Sequence, residues 1–433
     1  ASRLAKDREL RNALNPQGVA NALNALSKWP DTPDYADCAD AANALASRLA
    51  DERTLRNVLN PQDMANALNA LSKWPDTPDC TAAVKALASR LAKDRELRNA
   101  LNPQGVANAL NALSKWPDTP DYADCVAAAS ALASRLAKDR ELRNALNPQG
   151  VANALNALSK WPDTPDYADC VTAASALASR LAKDRELRNA LNPQDVANAL
   201  NALSKWPDTP DCTAAVKALA SRLAKDRELL NDLNPKGVAN ALNALSKWPN
   251  TPVFAATANA LASRLTDERG LCNALSPIGV TQALNGLSKW PNRANCEEAT
   301  DVLAGRLAED RDLRQAMDEH HVAVSLNALS RCLRRSACQA AVLLLAERTG
   351  SAELPWQQFE MRGLAMVANA MSRLLHLDEK QFQILGHAKL LAMAGHLELH
   401  RERFESASAQ DIGMLFKALS SAQLHRQMRP LAR

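Results

Sequence analysis

Histidine is missing from the first 319 residues of this 433-residue chain; all seven lie at or beyond His320. That long stretch therefore cannot hold a Ser–His or Cys–His catalytic pair of its own. No phosphate-cradling glycine loop, dinucleotide glycine motif or zinc-ligand spacing occurs, so no cofactor or metal is expected, and the segment does not read as an enzyme. Aromatics are only 4% of residues and glycines number 13. With few Val and Ile against abundant Ala, Leu and Asn, the composition is that of helices and argues against a sheet. No apolar run approaches a membrane span, and no membrane partner is expected.

A strong charge of one sign is also lacking. Net charge is +4, from 52 basic and 48 acidic residues. The unit 89–133 is neutral, with Arg90, Lys93, Arg95, Arg98 and Lys115 against Asp94, Glu96, Asp118, Asp121 and Asp124. A non-specific polyanion binder would carry a basic stripe that is not cancelled locally. Nine cysteines are present, but Cys38, Cys80, Cys125, Cys170 and Cys212 fall at one equivalent position in successive units. Stacked helices lie about 8–10 Å apart, beyond the ~7 Å limit between Cα atoms for a disulfide. These thiols are expected as small buried apolar groups in a reducing compartment. Cys332 and Cys338 have no metal partners at zinc spacing.

What the chain does have is a repeat. Asn15 to Pro30, Asn-Pro-Gln-Gly-Val-Ala-Asn-Ala-Leu-Asn-Ala-Leu-Ser-Lys-Trp-Pro, returns almost unchanged at 60–75, 102–117, 147–162, 192–207, 234–249 and 276–291. The marker serines are Ser27, Ser72, Ser114, Ser159, Ser204, Ser246 and Ser288, followed by decayed copies at Ser330, Ser372 and Ser420. Steps of 42 or 45 residues, and 48 at the end, are the signature of a solenoid. The expected fold is all-α, an α-solenoid of about ten 42–45-residue armadillo- or HEAT-like units in a right-handed superhelix, a curved rod of the order of 100 Å. The chain opens at Ala1-Ser2-Arg3-Leu4, the middle of a unit seen whole at Ala46–Leu49, so it reads as an excerpt of a longer protein. Regular repeats are expected over 1–300. Divergent ones over 301–433 would continue and cap the solenoid, with room for an insertion near 376–405.

Each unit reads as three helices. Thr32-Pro33-Asp34 supplies N-cap, N1 and N2 of the first, with Cys38, Ala42, Leu45 and Leu49 as its buried stripe. The longer units add Tyr-Ala-Asp, as at Tyr35–Asp37, expected as almost one more helical turn. Asp7 caps a short second helix that carries Leu10 and Leu14 inward. Asn15 caps a third, with Val19, Leu23 and Leu26 buried and Pro30 closing it.

The columns formed by equivalent residues carry the functional reading. Asn21, Asn66, Asn108, Asn153, Asn198 and Asn240 form an amide column that turns into Gln282, Val324, Met366 and Met414. Each amide offers a donor and an acceptor, suited to an extended peptide backbone or to base edges. Gln17, Gln62, Gln104, Gln149 and Gln194 lie beside it, as do Lys28, Lys73, Lys115, Lys160, Lys205, Lys247 and Lys289. The parallel Asn24 column persists to Asn369, and its amides could tie unit to unit or grip a ligand. The Trp29 column becomes Cys332, Leu374 and Ala422, which favours packing over base stacking. The Lys28 column and the Arg column (Arg3, Arg48, Arg90 and onward to Arg348) sit at helix C-termini, where a cation complements the helix dipole; phosphate contact is the alternative. Asp31 and Asp34 would offset Lys28. One polar position varies from unit to unit: Asn43, Lys85, Ser130, Ser175, Lys217, Asn259, Asp301. On the outward side of the first helix it could encode one base per repeat, or merely tolerate any polar residue. His396 and His400 have i, i+4 spacing, but His396 occupies the Arg column.

Ser-Lys-Trp-Pro at 42- to 45-residue spacing resembles the SKWP-repeat effectors that plant-pathogenic bacteria inject through type III secretion. The resemblance spans residues 1–291 and departs after Trp290. It implies secretion into a host cell, to its cytoplasm or nucleus, which suits free cysteines, and leaves the target open. The third helix, as in Leu191–Leu203, is also similar to that of octotricopeptide-type RNA-binding repeats. The leading expectation is a monomeric, non-catalytic scaffold that binds a host protein or extended peptide along its concave surface. The alternatives are a modular single-stranded RNA binder and a spacer for domains outside this segment.

Overall fold

The computed structural model describes residues 1–28, 35–74, 77–116, 120–161, 168–206 and 208–424. Among these there is no strand; the sole β-type pairing is an isolated bridge between Thr349 and Leu354. A unit is a long helix, a helix of five or six residues and a third helix, as in Pro78–Lys93, Arg95–Ala100 and Pro103–Leu113, and in the last two units the middle element is a 3-10 turn, Trp356–Gln358 or Arg401–Ser406. The chain is an α-solenoid unit by unit. Contacts divide it into two bodies, Ala1–Leu219 and Ala220–Arg433.

Local chemistry sets the helix ends. The Asn15, Asn60, Asn102, Asn147, Asn192 and Asn234 side chains each accept from the backbone N–H three residues on, at 2.7–2.8 Å, with proline at the first helical position. Such a cap is worth about 1 kcal/mol. Ser276 does the same ahead of Pro277, and Asp318 and Ser408 do so in the decayed units without a proline. At the other end each marker serine turns its hydroxyl onto the asparagine carbonyl three residues earlier, as Ser114 does to Asn111 at 2.9 Å. The second helix is capped by Asp7, Asp94, Asp139, Asp184, Asp226 and Asp310. Glu52 and Glu268 stand at that position but do not cap: the longer carboxylate folds back onto Arg48 and Arg264.

Two local expectations change. Thr32, Pro33 and Asp34 lie outside the described residues, but Thr77 occupies the same place and its side chain caps nothing. Its hydroxyl instead donates to the Trp74 carbonyl at 2.9 Å. The Tyr-Ala-Asp addition does not lengthen the helix that follows Trp116. Pro120–Tyr122 forms a separate 3-10 turn, Tyr122 (φ −117°, ψ 21°) breaks helical geometry, and Ala123–Lys138 has the 16 residues of the short-unit helix Pro78–Lys93.

Within residues 1–219 the third helices Pro16–Leu26, Pro61–Leu71, Pro103–Leu113, Pro148–Leu158 and Pro193–Leu203 pack in succession, and the long helices form a second layer. Between the layers lie the fully buried stripes, for example Cys80, Val84, Leu87 and Leu91 on the helix that packs against Pro61–Leu71 with its buried Met64, Leu68 and Leu71. Leu26, in the first unit, is only half-buried. Within 220–433 the third helices Pro235–Leu245, Pro277–Leu287, Glu319–Leu329, Met361–Leu374 and Ala409–Ser421 stack likewise. The stack passes residue 300 without a break. The long last step is taken up by a 20-residue helix, Lys380–Leu399, and a 3-10 segment, Arg401–Ser406.

Candidate binding surface

The third helix leaves little for a partner to touch. In Pro103–Leu113 the residues Gly105, Val106, Ala107, Ala109, Leu110, Ala112 and Leu113 are buried. Gln104, Asn108, Asn111 and the following Lys115 remain accessible. Their spacing of four, three and four residues places them on one side of the helix. Because third helices stack, these short stripes lie side by side. Gln17, Gln62, Gln149 and Gln194 are exposed; Asn66, Asn108, Asn153 and Asn198 are half-buried; Asn21 is exposed and Asn240 is only 6% exposed. Lys28, Lys73, Lys115, Lys160, Lys205 and Lys247 are exposed, while Lys289 is half-buried. Within each body the structure thus brings its Gln-type, Asn21-type and Lys positions onto one face. The Asn24 column belongs to it as well.

Parts of this face are already bonded. Gln104 Nε2 donates to Asn108 Oδ1 at 2.9 Å, and Asn147 Nδ2 donates to Gln104 Oε1 at 3.3 Å. In the second body Asn285 Nδ2 donates to Asn243 Oδ1 at 2.9 Å, and Asn369 Nδ2 to Asn327 Oδ1 at 2.8 Å. At those two junctions the Asn24-type column is an amide ladder between units. Asp31 and Asp34, expected to offset Lys28, lie outside the described residues.

The variable column sits elsewhere. Asn43, Ser130, Ser175, Asn259, Asp301 and Lys85 are half-buried, and Lys217 is exposed. Four of these side chains or backbones meet the start of the next unit's long helix or the turn before it. Lys85 Nζ lies 4.5 Å from the centre of the Tyr122 ring, and Ser175 Oγ donates to Asp211 Oδ2 at 3.1 Å. Asn295 Nδ2 donates to the Asn259 carbonyl at 3.3 Å, and Arg335 pairs with Asp301 at 3.5 Å. At Lys85, Ser175 and Asp301 the side chain thus answers to the neighbouring unit across the seam.

The arginine column is not a solvated helix end. Arg135 donates through one terminal nitrogen to the Arg98 carbonyl and, at 2.9 Å, to the Leu101 carbonyl, both in the preceding unit. Arg48, Arg90, Arg180, Arg264, Arg306 and Arg348 make the equivalent pair of contacts 31 to 37 residues back. A second arginine, such as Arg98 to Leu91 and Ala92, ties off the C-terminus of its own long helix, except where Leu230 and Cys272 take its place. Burial holds Arg135 and Arg180 below the usual guanidinium range, partly offset by Asp139 and Asp184. Sequence held one signal of this: the column never exchanges Arg for Lys, whereas the Lys28 column does. His396 stands in the arginine column, 8% exposed. Arg403 takes over, donating to the Trp356 and Phe359 carbonyls and sitting 2.8 Å from His396 Nε2.

The remaining columns are scaffold. Trp74, Trp116, Trp206 and Trp290 are 4–5% exposed, and Trp290 Nε1 donates to the Pro249 carbonyl at 3.0 Å. Trp29 lies outside the described residues. All nine cysteines are free, and eight are buried. Burial, reinforced by Asp124 and Asp169, pushes the Cys125 and Cys170 thiols up to about 12. Among the described residues no group of three His, Cys, Asp or Glu is placed to hold a metal, and no helix is long and apolar enough to cross a membrane.

Five short segments, residues 11–23, 56–68, 98–110, 143–155 and 188–200, match a family described as "Protein of unknown function (DUF1601)". They run from the second helix into the third and cover well under half of the chain. No curated protein matches. Similar solved structures include an engineered protein from a structural genomics consortium, 15% identical, covering 93% of this chain and 99% of that one, with a TM-score of 0.21. Another comes from work on a phosphorylation switch in the interaction of cadherin with beta-catenin, at 10% identity, full coverage of both chains and a TM-score of 0.21. A third is the SYS-1/POP-1 complex, at 10% identity, 96% and 86% coverage and a TM-score of 0.21.

Proposed function

We propose that this chain is a non-catalytic scaffold that binds an extended polypeptide across its third-helix face. The observation that carries the reading is the recurring Gln–Asn–Asn–Lys stripe, the accessible part of a helix otherwise buried. Neighbouring stripes are about 10 Å apart by helix packing, and an extended chain advances about 3.3 Å per residue. Each unit would therefore meet about three residues of a ligand, and its Asn21-type amide could donate to one backbone carbonyl and accept from one N–H. The Ser-Lys-Trp-Pro resemblance supports a role as an effector delivered into host cells, with a host protein as partner, and the buried free thiols suit a reducing host interior.

The test is selection of short random peptides on the full chain, followed by affinity measurement on an Asn108→Ala/Asn153→Ala variant. Affinity is expected to fall at least about tenfold, equivalent to one or two lost hydrogen bonds per ligand. Binding indifferent to that variant but lost with Lys138→Glu, on the long-helix side, would place the ligand on the other face. If random-sequence RNA binds instead, with affinity falling steeply with salt, the single-stranded RNA reading replaces this one.

A further inference from the structure

The third-helix face changes character within residues 220–433. The glutamine position becomes Lys236, Ile278, His320 and Arg362, and the Asn21 position becomes Asn240, Gln282, Val324, Met366 and Met414. Ile278 is 54% exposed, and Val324, Met366 and Met414 are half-buried. Amide chemistry has given way to an apolar row. The cation row persists beside it as Lys247, Lys289, Arg331 and Arg373.

What disappears is the acid that followed each lysine in the chain. Four residues after the marker serine the sequence has Asp31, Asp76, Asp118, Asp163 and Asp208, and then Asn250, Asn292, Arg334 and His376. Among the described residues no carboxylate pairs with Lys289, Arg331 or Arg373. Glu297 and Asp301 are instead held by Arg335, at 3.1 and 3.5 Å. The cations crowd one another: Arg373 donates to Ser330 Oγ at 3.1 Å, which brings its guanidinium to the residue beside Arg331. The Lys289 ammonium lies below its usual range, first from burial and then from Arg331, Lys247 and Arg373. Arg373 is lowered by burial and by Arg331. Like charges held together on stacked helices cost stability unless an anion is brought to them.

We propose that the face formed by the third helices of residues 235–421 is a docking surface for an acidic peptide whose apolar side chains lie on Val324, Met366 and Met414 while its carboxylates reach Lys289, Arg331 and Arg373. This rests on the scaffold reading above and specifies the ligand for the second body. The two rows together select the class. A polyanion such as RNA would use the cations but would be served by aromatic platforms, whereas the neighbouring row is aliphatic. An acidic, partly apolar peptide satisfies both rows.

Short random peptides selected on the full chain test this, with a random-sequence RNA pool measured in parallel. Enriched peptides are expected to combine Asp or Glu with Leu, Ile, Met or Phe. Their affinity should fall at least about tenfold in Lys289→Glu/Arg331→Glu, the loss of one charge-assisted contact or more. Arg331→Glu alone, at an exposed site, should show most of the effect if the half-buried lysine cannot be reversed without unfolding. A Lys93→Glu/Lys138→Glu control, on the long-helix side of the first body and outside the third-helix stripes, should change it less than about twofold. Enriched peptides without acidic residues, or acidic ones indifferent to Arg331→Glu, overturn the inference. If those same peptides are lost with Asn108→Ala/Asn153→Ala, the scaffold reading stands without it. If no peptide is enriched, both fall. RNA that binds more tightly than any peptide and is lost with Lys289→Glu/Arg331→Glu overturns the choice of an acidic peptide.

Discussion

Replacing Arg135 with methionine removes a guanidinium and keeps an unbranched chain of similar length. In the folded protein that side chain is 16% exposed and serves two carbonyls, Arg98 and Leu101, at the end of the preceding unit's short helix. A hydrogen bond to a charged group is worth about 1.5–3 kcal/mol, and a buried carbonyl left unpaired costs about 1–3 kcal/mol. Some of the carbonyl loss is recovered by water at a partly open site, so Arg135→Met should lower stability by about 2–4 kcal/mol. In a stacked repeat each unit contacts only its neighbours, so the loss is confined to one junction. Arg135→Lys keeps the charge but not the planar fork, and should cost about half as much. Asp139→Asn removes a carboxylate 4.0 Å from Arg135 and 39% exposed, for less than about 0.5 kcal/mol. Urea unfolding followed by far-UV circular dichroism measures the totals, and amide exchange read by mass spectrometry locates them at residues 97–102. The reasoning fails if Asp139→Asn costs as much as Arg135→Met, because the term would then be the ion pair and not the carbonyls. It fails equally if exchange at 97–102 is unchanged.

Gly286→Ala should destabilise by about 1–3 kcal/mol in the same unfolding assay, because a Cβ there would meet the Leu242 carbonyl at 2.7 Å. Gly305→Ala, with nothing within 4 Å of its Cβ position, should stabilise by about 0.5–1 kcal/mol. His396 is held below its ordinary 6.5 by burial, then by His400 and Arg403. The unfolded chain thus binds the proton more readily, so the contribution of this site is present above about pH 6.5 and is lost as pH falls through 6.5 and the lowered folded value. Thermal melts from pH 7.5 down to 5 should show that slope, and His396→Gln should flatten it. Thiol labelling of native protein at pH 8 should be slow throughout, with Cys332, the one cysteine that is not buried, reacting first; Cys125 and Cys170, pushed up to about 12, should label only on unfolding.

How much of the site could be read in advance differs from column to column. Gln104, Asn108 and Lys115 were recognisable because a period of 3.6 with known apolar positions dictates which side of a helix stays wet. Whether Asn24-type residues face a ligand or each other was not, since both answers put asparagine in the same place. It took the Asn285–Asn243 and Asn369–Asn327 bonds to show the ladder. The variable column looked like a code because its residue changes among Asn, Lys, Ser and Asp from unit to unit. At Lys85, Ser175 and Asp301 the side chain meets Tyr122, Asp211 or Arg335, 34 to 37 positions later in the next unit, a contact no single unit displays.

The sequence by itself determined whatever is local or strictly periodic. A step of 42 or 45 residues dictates a stacked array, Asn-Pro and Asp set helix starts through backbone N–H groups three residues away, and an evenly repeated cysteine cannot find a disulfide partner. Tertiary structure alone decided the rest. The arginine that reads as a cation at a helix end turns out to close carbonyls of the unit before it, a contact that exists only once two units are stacked. Arg403 replaces it where His396 cannot reach. The convergence of Lys289, Arg331 and Arg373 likewise has no local cause, because helix packing sets the distance between charges that lie 42 residues apart in the chain.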